Sequence, residues 1–257
     1  MVHASVIGVG NMGGAFVTGL AREGSHTVTA IDADPDALAA IERHAEETTT
    51  DLGAAREGDV VVLAVKPDVV DAVLADLDLR ADQTLLTFAA GVASAYVADR
   101  TDATVVRAMP NLAAETGDMA AAVTPNATDE VRALLGAVGE YVEIDESLFD
   151  TATAVNGSGP AFVFYLIEAM KRAGIEGGLD PDDAEVLAAQ TFRGAAETVL
   201  RDDRSVDELI DAVCSPNGTT IEGMEVLWDS DVQAEFRAAV EAARRRSEEL
   251  AEAFDDE

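Results

Sequence analysis

A glycine-rich motif near the N terminus constrains the fold of this chain more than any other feature of the sequence. It reads Gly8-Val9-Gly10-Asn11-Met12-Gly13 and stands between an apolar segment, Ala4–Ile7, and a segment of helical pattern, Asn11–Arg22. In a strand–turn–helix unit, the first glycine makes the tight turn, the second lets the backbone approach a pyrophosphate, and the third packs the helix against the strand. The N terminus of the helix adds unpaired N–H groups and the positive end of its dipole. The motif therefore predicts a dinucleotide-binding fold.

An acidic residue follows the second predicted strand. Thr27–Ile31 ends at Asp32, whose carboxylate is placed to accept hydrogen bonds from ribose hydroxyls and to repel a 2′-phosphate. We therefore expect NAD(P)H as the cofactor, with a preference for NADH. That preference depends on one side chain in a chain in which 50 of 257 residues are Asp or Glu. In this region the residues predicted to contact the cofactor are Gly8, Gly10, Asn11, Met12, Gly13 and Asp32.

The charge balance excludes several kinds of partner. Against 50 acidic residues stand 17 Lys and Arg residues, which gives a net charge of −33. Such a surface repels nucleic acids and anionic membranes, so neither is expected as a partner. The acidity resembles that of proteins from salt-accumulating halophiles, in which molar salt shortens the screening length to roughly 3 Å.

Other features of the composition favour a globular cytoplasmic protein. Hydrophobic residues make up 48% of the chain, and no apolar run reaches the roughly eighteen residues needed to span a bilayer. Cys214 is the only cysteine, so no disulfide can form within the chain. No metal site is predicted.

Strands alternate with helical patterns over residues 1–148, which predicts a Rossmann-like, doubly wound and mostly parallel α/β sheet. After Leu148 only helical patterns follow, so residues 149–257 are expected to form an all-helical dimerisation and substrate domain. The predicted strands are Ala4–Ile7, Thr27–Ile31, Asp59–Val65, Gln83–Ala89, Thr104–Met109, Asp118–Thr124 and Tyr141–Ile144. The predicted helices are Asn11–Arg22, Pro35–Glu47, Pro67–Leu77, Asp129–Gly139, Pro160–Ala173, Pro181–Leu200, Val206–Val213, Thr220–Trp228 and Val232–Phe254.

The helix predicted over Pro181–Leu200 is apolar on nearly all sides. A helix of this kind must be buried, and a small domain offers few ways to bury it alone. We therefore expect this helix to lie in the interface of a homodimer.

Three further segments contain more Gly, Pro, Ser and Thr than packing requires. They are Ala64-Val65-Lys66-Pro67, the stretch 154–162 (AVNGSGPAF), and Ser215-Pro216-Asn217-Gly218-Thr219-Thr220. Together with Val106-Arg107-Ala108-Met109-Pro110-Asn111, these segments resemble those of the pyrroline-5-carboxylate reductases in order and in sequence, across nearly the whole chain. The resemblance implies a Rossmann-like domain, a helical dimerisation domain and assembly of dimers into larger rings. It also implies reduction of the C=N bond of 1-pyrroline-5-carboxylate to L-proline, the last step of proline biosynthesis.

The loop 215–220 fits the substrate side of that reaction. Thr219 and Glu222 have the spacing of a capping box, which leaves the hydroxyl of Thr220 free near the mouth of the site. Backbone N–H groups at the helix N terminus suit a carboxylate. We expect the loop to bind the substrate carboxylate and Thr220 to hydrogen-bond the imine nitrogen, the role that the resemblance places on this threonine. The predicted substrate-binding residues are Asp203, matched by resemblance alone, and Ser215, Asn217, Gly218, Thr219 and Thr220.

Two more loops are expected at the cofactor. The carboxyl ends of parallel strands face the cofactor crevice, and the segments Ala64–Pro67 and Ala89–Gly91 end two predicted strands. The predicted contacts there are Ala64, Val65, Lys66 and Pro67 on one loop, and Ala89, Ala90 and Gly91 on the other. Asn217 departs from the family, which has glycine at this position, but Asn tolerates left-handed backbone angles.

Two alternatives remain open from the sequence. A β-hydroxyacid dehydrogenase shares the two-domain layout and would use Lys171 as its acid–base group. A non-enzymatic sensor would bind NAD(H) and signal through its helical interface, without a catalytic purpose for the loop 215–220. The three histidines, His3, His26 and His44, all precede residue 45. This favours imine reduction, because an alcohol dehydrogenase needs a base for the hydroxyl proton.

Overall fold

The computed structural model describes residues 1–255, which form two compact units. The first unit contains Met1–Ser158 and the C-terminal segment that begins at Ala242, and the second contains Gly159–Glu241. The boundary therefore lies at Ser158/Gly159, whereas the sequence places it at Leu148/Phe149. No described helix combines the length and the apolar character that crossing a membrane requires.

An eight-stranded sheet in the order β3-β2-β1-β4-β5-β6-β7-β8 organises the first unit. Strands β1 to β6 run parallel, β7 pairs antiparallel with β6, and β8 pairs parallel with β7. The chain reverses its order between β1 and β4, and in such sheets ligands bind outside the carboxyl ends of the strands at this switch point. The strands are β1 His3–Ile7, β2 Thr27–Ile31, β3 Glu47–Thr49, β4 Val60–Leu63, β5 Thr84–Thr87, β6 Thr104–Met109, β7 Met119–Val123 and β8 Gly139–Glu143.

Helices cover both faces of this sheet, and the second unit, whose residues are all described, contains helices joined by turns and no strand. Those of the first unit are α1 Asn11–Glu23, α2 Pro35–Ile41, α3 Val70–Asp76, α4 Ser94–Ala98, α5 Asp129–Val138 and α6 Phe149–Ala152. Those that follow are α7 Gly159–Glu176, α8 Pro181–Arg201, α9 Val206–Val213, α10 Thr219–Trp228 and α11 Val232–Asp255.

The first unit has two buried apolar layers, one on each face of the sheet. On one face, Phe16 and Leu20 of α1 are fully buried, and the Phe16 ring meets the Phe88 ring edge-on at 5.2 Å. On the other face, Val70 and Leu74 of α3 pack with the strand residues that point that way. All four residues of β4 are buried, as the apolar run there predicts for a central strand.

Several element boundaries differ from the sequence prediction. The helix expected over Pro35–Glu47 ends at Ile41, and a short strand, β3, pairs with β2 through Glu47–Thr49. This strand is polar and only three residues long, so it carries no alternating pattern that sequence periodicity could detect. Helix α4 was also missed, because a five-residue helix is shorter than the window in which helical periodicity becomes visible.

The second unit leaves most of its apolar side chains exposed. Helix α8 buries only Ala184 and Ala188, whereas Leu187 is 56% exposed and Leu200 is 73% exposed. The expected burial of α8 is therefore not achieved within one chain. Contiguous exposed apolar side chains of this kind mark interaction surfaces.

Candidate functional site

The glycine-rich loop has the backbone geometry that its sequence requires. Gly8 has φ +87°, and a Cβ atom there would stand 2.9 Å from the carbonyl oxygen of Ala64. A Cβ atom on Gly13 would lie 1.9 Å from the carbonyl oxygen of Gly8. Any side chain at Gly13 would thus push α1 away from the turn that follows β1. The two glycines fix the turn and the close packing of helix against strand.

Gly10 differs from these two because it faces open space. A Cβ atom built there meets no heavy atom within 4 Å. Gly10 is also the N-cap of α1, and no side chain caps this helix end. The first N–H groups of the helix, around the exposed Asn11 and the half-buried Met12, therefore have no side-chain cap, and they lie at the positive end of the helix dipole. This cradle fits the pyrophosphate of a dinucleotide.

Asp32 stabilises the same loop, a role that the sequence did not reveal. Its Oδ2 accepts a hydrogen bond from the backbone N–H of Val9 at 2.8 Å, and its Oδ1 accepts one from Asp34 N–H at 2.9 Å. Each carboxylate oxygen has a second lone pair, so Asp32 can still accept from ribose hydroxyls. Next to it, Ala33 is exposed.

The loops after β4 and β5 reach the same edge of the sheet, because β1, β4 and β5 are parallel neighbours. The Cγ1 atom of Val65 would lie 2.8 Å from a Cβ atom on Gly8, so the loop after β4 touches the glycine-rich turn. Ala64 is half-buried, and Lys66 is exposed before the short 3₁₀ turn that begins at Pro67.

The loop after β5 packs against the last helix. Ala89 and Gly91 are buried and Ala90 is half-buried. Gly91 has φ +75°, and a Cβ atom there would stand 3.2 Å from the backbone nitrogen of Ala251 in α11. The Tyr96 ring meets the Phe254 ring edge-on at 4.8 Å. The C-terminal segment thus supports this loop from outside the sheet.

A partly buried ionic cluster, which the sequence analysis missed, holds the far end of that loop. Glu146 Oε1 accepts hydrogen bonds from Arg107 Nη1 at 2.9 Å and from Ser94 N–H at 2.7 Å, and Ser94 Oγ donates to Glu146 Oε2. The Arg107 side chain is 8% exposed, and its guanidinium carbon lies 4.7 Å from the centroid of the Phe149 ring. Burial raises the pKa of Glu146, but the hydrogen bonds from Ser94 and the contact with Arg107 outweigh it and hold that pKa below its usual value.

In the second unit, the residues before α10 form a tight turn. Gly218 N–H donates to the carbonyl of Ser215 at 2.9 Å, and Asn217 has φ +60°. Pro216 followed by a residue with positive φ is typical of a type II turn. A Cβ atom on Gly218 would lie 2.9 Å from the carbonyl oxygen of Ser215, so a larger residue would have to open the turn slightly.

The predicted capping box of Thr219 and Glu222 is wrong. Helix α10 begins at Thr219, its N-cap is Gly218, and no side chain caps it. Glycine is itself an accepted N-cap, and it lets the helix start one residue earlier than the Thr-x-x-Glu spacing implies. Thr219 and Thr220 both lie in the first turn and are exposed, beside backbone N–H groups that no side chain satisfies. A capping box does form at α9, between Ser205 and Glu208.

The remaining candidates of the second unit have simpler surroundings. Asp203 is exposed, and its neighbour Asp202 accepts hydrogen bonds from Arg204, which lower the pKa of Asp202 to about 2. Lys171 forms an ion pair with Glu185, and this hydrogen bond raises the pKa of the lysine. A lysine held in its charged form is a poor proton acceptor. Among the described residues, no group of three His, Cys, Asp or Glu side chains could hold a metal ion.

Two family models match this chain. One, described as pyrroline-5-carboxylate reductase dimerisation, covers residues 146–250, and the other, described as NADP oxidoreductase coenzyme F420-dependent, covers residues 4–91. A pyrroline-5-carboxylate reductase of Methanosarcina acetivorans is 39% identical over 95% of this chain and 96% of the relative. The enzyme of Mycobacterium tuberculosis is 36% identical over 97% of both chains.

Solved structures agree with these relatives. A pyrroline-5-carboxylate reductase from Coxiella burnetii superposes with a TM-score of 0.85 at 30% identity, covering 96% of this chain and 98% of the other. A pyrroline carboxylate reductase from Plasmodium falciparum, solved with NADP bound, gives a TM-score of 0.82 at 25% identity, covering 97% and 98%.

Proposed function

This chain belongs to the pyrroline-5-carboxylate reductase family and reduces the C=N bond of 1-pyrroline-5-carboxylate to L-proline with NAD(P)H, and we propose how its own residues perform that reaction. Its reductase fold and its helical dimerisation region are those of the family, and the chain forms a homo-oligomer. The alternatives of a β-hydroxyacid dehydrogenase and a non-enzymatic sensor therefore fall away.

The first part of the proposal concerns the cofactor. Gly8, Gly10 and Gly13, with the uncapped N terminus of α1, hold the pyrophosphate, because Gly10 alone of the three faces open space. Asn11 and Met12 flank the phosphates, and Asp32 accepts from the ribose. The loops Ala64–Pro67 and Ala89–Gly91 line the path toward the reduced nicotinamide, which supplies the hydride when it is bound.

The second part concerns the substrate. The exposed first turn of α10 offers N–H groups and the positive end of a helix dipole to the substrate carboxylate. Ser215, Asn217 and Gly218 shape the turn before it. The Thr220 hydroxyl then donates a hydrogen bond to the imine nitrogen, which increases the positive character of the carbon that accepts the hydride. The observation that carries this assignment is the uncapped helix end with Thr220 exposed in its first turn. Thr219 belongs to the same substrate-binding group, and so does Asp203, which is included on the resemblance to the family.

No strong side-chain base is needed in this mechanism. The substrate carbon receives a hydride and the nitrogen receives a proton, which bound water can supply beside a hydroxyl donor. Lys171 stays charged in its pair with Glu185 and takes no part.

Removal of the Thr220 hydroxyl tests the catalytic assignment. Thr220→Ala should lower kcat/KM by on the order of 10²-fold, the usual effect of losing one such donor. Thr220→Ser keeps the hydroxyl and serves as the matched control, with activity within a few-fold of the wild type. Steady-state rates at several substrate concentrations make the measurement. Near wild-type kcat/KM for Thr220→Ala would refute the role of this hydroxyl.

The cofactor preference is also a proposal. We infer a preference for NADH, because Asp32, Ala33 and Asp34 offer no cation to a 2′-phosphate and two carboxylates to repel it. Substitution of Asp32 would also break its bonds to Val9 and Asp34, so the cleaner variant is Ala33→Arg at an exposed position. It should shift the ratio of kcat/KM values toward NADPH by about tenfold, because the new arginine can form an ion pair with the 2′-phosphate. A tenfold change corresponds to roughly 1.4 kcal/mol. A wild-type preference of tenfold for NADPH would overturn the inference.

The remaining proposals concern assembly and environment. Residues 149–257 carry the subunit contacts, including the exposed face of α8, and residues 1–148 bind the cofactor. Dimers assemble further into rings, and the enzyme works in the cytoplasm at molar salt, to which a surface with a net charge of −33 is suited. Light scattering and activity as functions of KCl concentration test the oligomer and the salt requirement together.

A further inference from the structure

Helix α4 begins without a cap of its own. Its N-cap is Ala93, which has no side-chain acceptor, and no local side chain bonds to the first N–H groups. The acceptor comes instead from Glu146, which is 52 residues distant and binds both the N–H and the hydroxyl of Ser94. A Ser or Asn at residue 93 would cap the helix locally. The position of Ser94 therefore depends on the part of the first unit that carries Glu146.

Arg107 fixes the position of that carboxylate. It lies on β6 directly opposite Thr87, the last residue of β5, and its side chain is almost entirely buried between Glu146 and the Phe149 ring. Since a buried guanidinium needs a charged partner, the two side chains hold each other in one arrangement. The carboxylate that binds Ser94 is thus held in a fixed position relative to the central sheet.

The anchored segment is the loop 88–94, which leaves the carboxyl end of β5. Its start is fixed by the bond from Ala89 N–H to Thr87 Oγ1 at 3.2 Å. Its middle is fixed by the buried Val92 and by the close packing of Gly91 on Ala251. Glu146 fixes its end. Every part of a short loop beside the proposed cofactor path is therefore fixed to a different element of the unit.

We propose that Glu146, held by Arg107, is a positioning residue. It fixes the position of the loop 88–94 and thereby the position of the reduced nicotinamide relative to the substrate. The inference rests on the proposed function, because it takes Ala89–Gly91 as cofactor contacts. In this role Glu146 acts through its hydrogen bonds to Ser94, and not by contact with the cofactor or the reacting atoms. Displacement of reacting groups by about 1 Å can cost as much as 10²-fold in rate, so a loosened loop has a measurable effect.

The test compares Glu146→Ala with Glu143→Gln. Glu143 also pairs with an arginine, Arg132, at 2.8 Å, but this pair lies on β8 and α5, away from the loop. In Glu146→Ala we expect the Kd for the reduced cofactor, measured by fluorescence without substrate, to rise about fivefold. We expect kcat per folded enzyme to fall about tenfold or more, with the KM for pyrroline-5-carboxylate changed less than twofold. Glu143→Gln should match the wild type in all three quantities.

A hydrogen isotope effect separates positioning from mere stabilisation. With a cofactor deuterated at the transferred position, Glu146→Ala should show a larger isotope effect on kcat than the wild type, because a misplaced ring slows the hydride step itself. Ser94→Ala should show the same change at smaller size, and Ser94→Thr, which keeps the hydroxyl, should restore the wild-type value. Thermal unfolding measured in parallel gives the folded fraction of each variant.

A merely structural role gives a different result. Glu146→Ala would then lower the unfolding temperature, while the Kd for the cofactor and the isotope effect of the folded fraction stay at wild-type values, and that outcome overturns the proposal. Cofactor binding is measured without substrate and does not involve Thr220. Failure of the Thr220 assignment would therefore appear in the Thr220 variants, and it would not affect the comparison of cofactor binding between Glu146→Ala and Glu143→Gln.

Discussion

The two units of this chain use apolar residues in opposite ways. In the first unit, large side chains such as Phe16, Leu20 and Phe149 are at most 1% exposed. In the second, the only described residues that are buried are Ala184 and Ala188, whereas Tyr165 is 77% exposed. The first unit completes its own core. The second contains helices rich in apolar residues, but a single chain provides no surface that covers these residues.

This difference explains why one chain cannot account for the stability of the second unit. Burial of apolar surface supplies the main favourable free energy of folding, at about 25 cal/mol per Å², and contiguous exposed apolar patches mark interaction surfaces. Helices α7 and α8 pack on each other, and Gly174 approaches Ala184 closely. Their outer faces remain open to a second copy, in agreement with the match of residues 146–250 to a dimerisation region.

The largest expected effect concerns the first unit alone. Gly13→Ala places a Cβ atom 1.9 Å from the backbone of Gly8, so α1 must shift off the sheet, at a cost on the order of 4 kcal/mol. Chemical denaturation in molar KCl measures this loss. Gly10→Ala is the matched control, since its Cβ meets nothing within 4 Å; it should keep the fold and weaken cofactor binding. Equal stability of both variants would contradict the assigned packing.

The next effect separates the second unit from the first. Leu187→Asp places a charge on the exposed face of α8 and should raise the dissociation constant of the homo-oligomer about 100-fold, which corresponds to roughly 2.7 kcal/mol. Light scattering over a dilution series gives the constant. Leu112→Asp, at a similarly exposed leucine of the first unit (52% against 56% exposed), is the control and should assemble normally. If both variants stay assembled, the face of α8 is not the interface.

A smaller effect depends on the pKa of Glu146. Its folded-state pKa lies below the ordinary value of 4.5, so this group stabilises the folded protein above the unfolded-state pKa. That contribution is lost as the pH falls through the folded-state pKa. When the pH is lowered from neutral to acidic, the melting temperature of the wild type should therefore fall further than that of Glu146→Gln, by about 2 °C. Parallel curves for the two proteins would contradict the ionic cluster.

The smallest effect belongs to the surface. The Arg132–Glu143 pair is about one-third exposed on both sides, and such pairs contribute roughly 0.5 kcal/mol or less. Molar salt screens even this contribution. Glu143→Gln should therefore unfold at the wild-type temperature in molar KCl, and a melting temperature several degrees lower would show a stronger pair than the geometry implies.

The sequence predicted features that local pattern determines. The Gly8–Gly13 loop, the strand Thr27–Ile31 and the helix Val206–Val213 were placed at or within a residue of their structural bounds, because turn glycines and hydrophobic periodicity are local signals. Asn217 stands where the family has glycine, and its positive φ agrees with the expectation that asparagine tolerates this backbone conformation.

Features that depend on distant contacts were missed. The bond between Glu146 and Ser94 joins residues 52 positions apart, and with 50 acids among 257 residues no single Glu stands out. The start of α10 was misplaced by one residue, since Gly218 competes with Thr219 as the N-cap. The C-terminal part of α11 belongs to the first unit and packs against Gly91. No local pattern in the sequence indicates this contact.

One measurement tests the contrast between the units most directly. Sedimentation and specific activity of the wild type should be followed together over a dilution series in molar KCl. We predict that the enzyme is at least a dimer and that activity falls in step with dissociation, because the open face of the second unit needs another copy. A stable monomer with full activity on pyrroline-5-carboxylate would contradict the account.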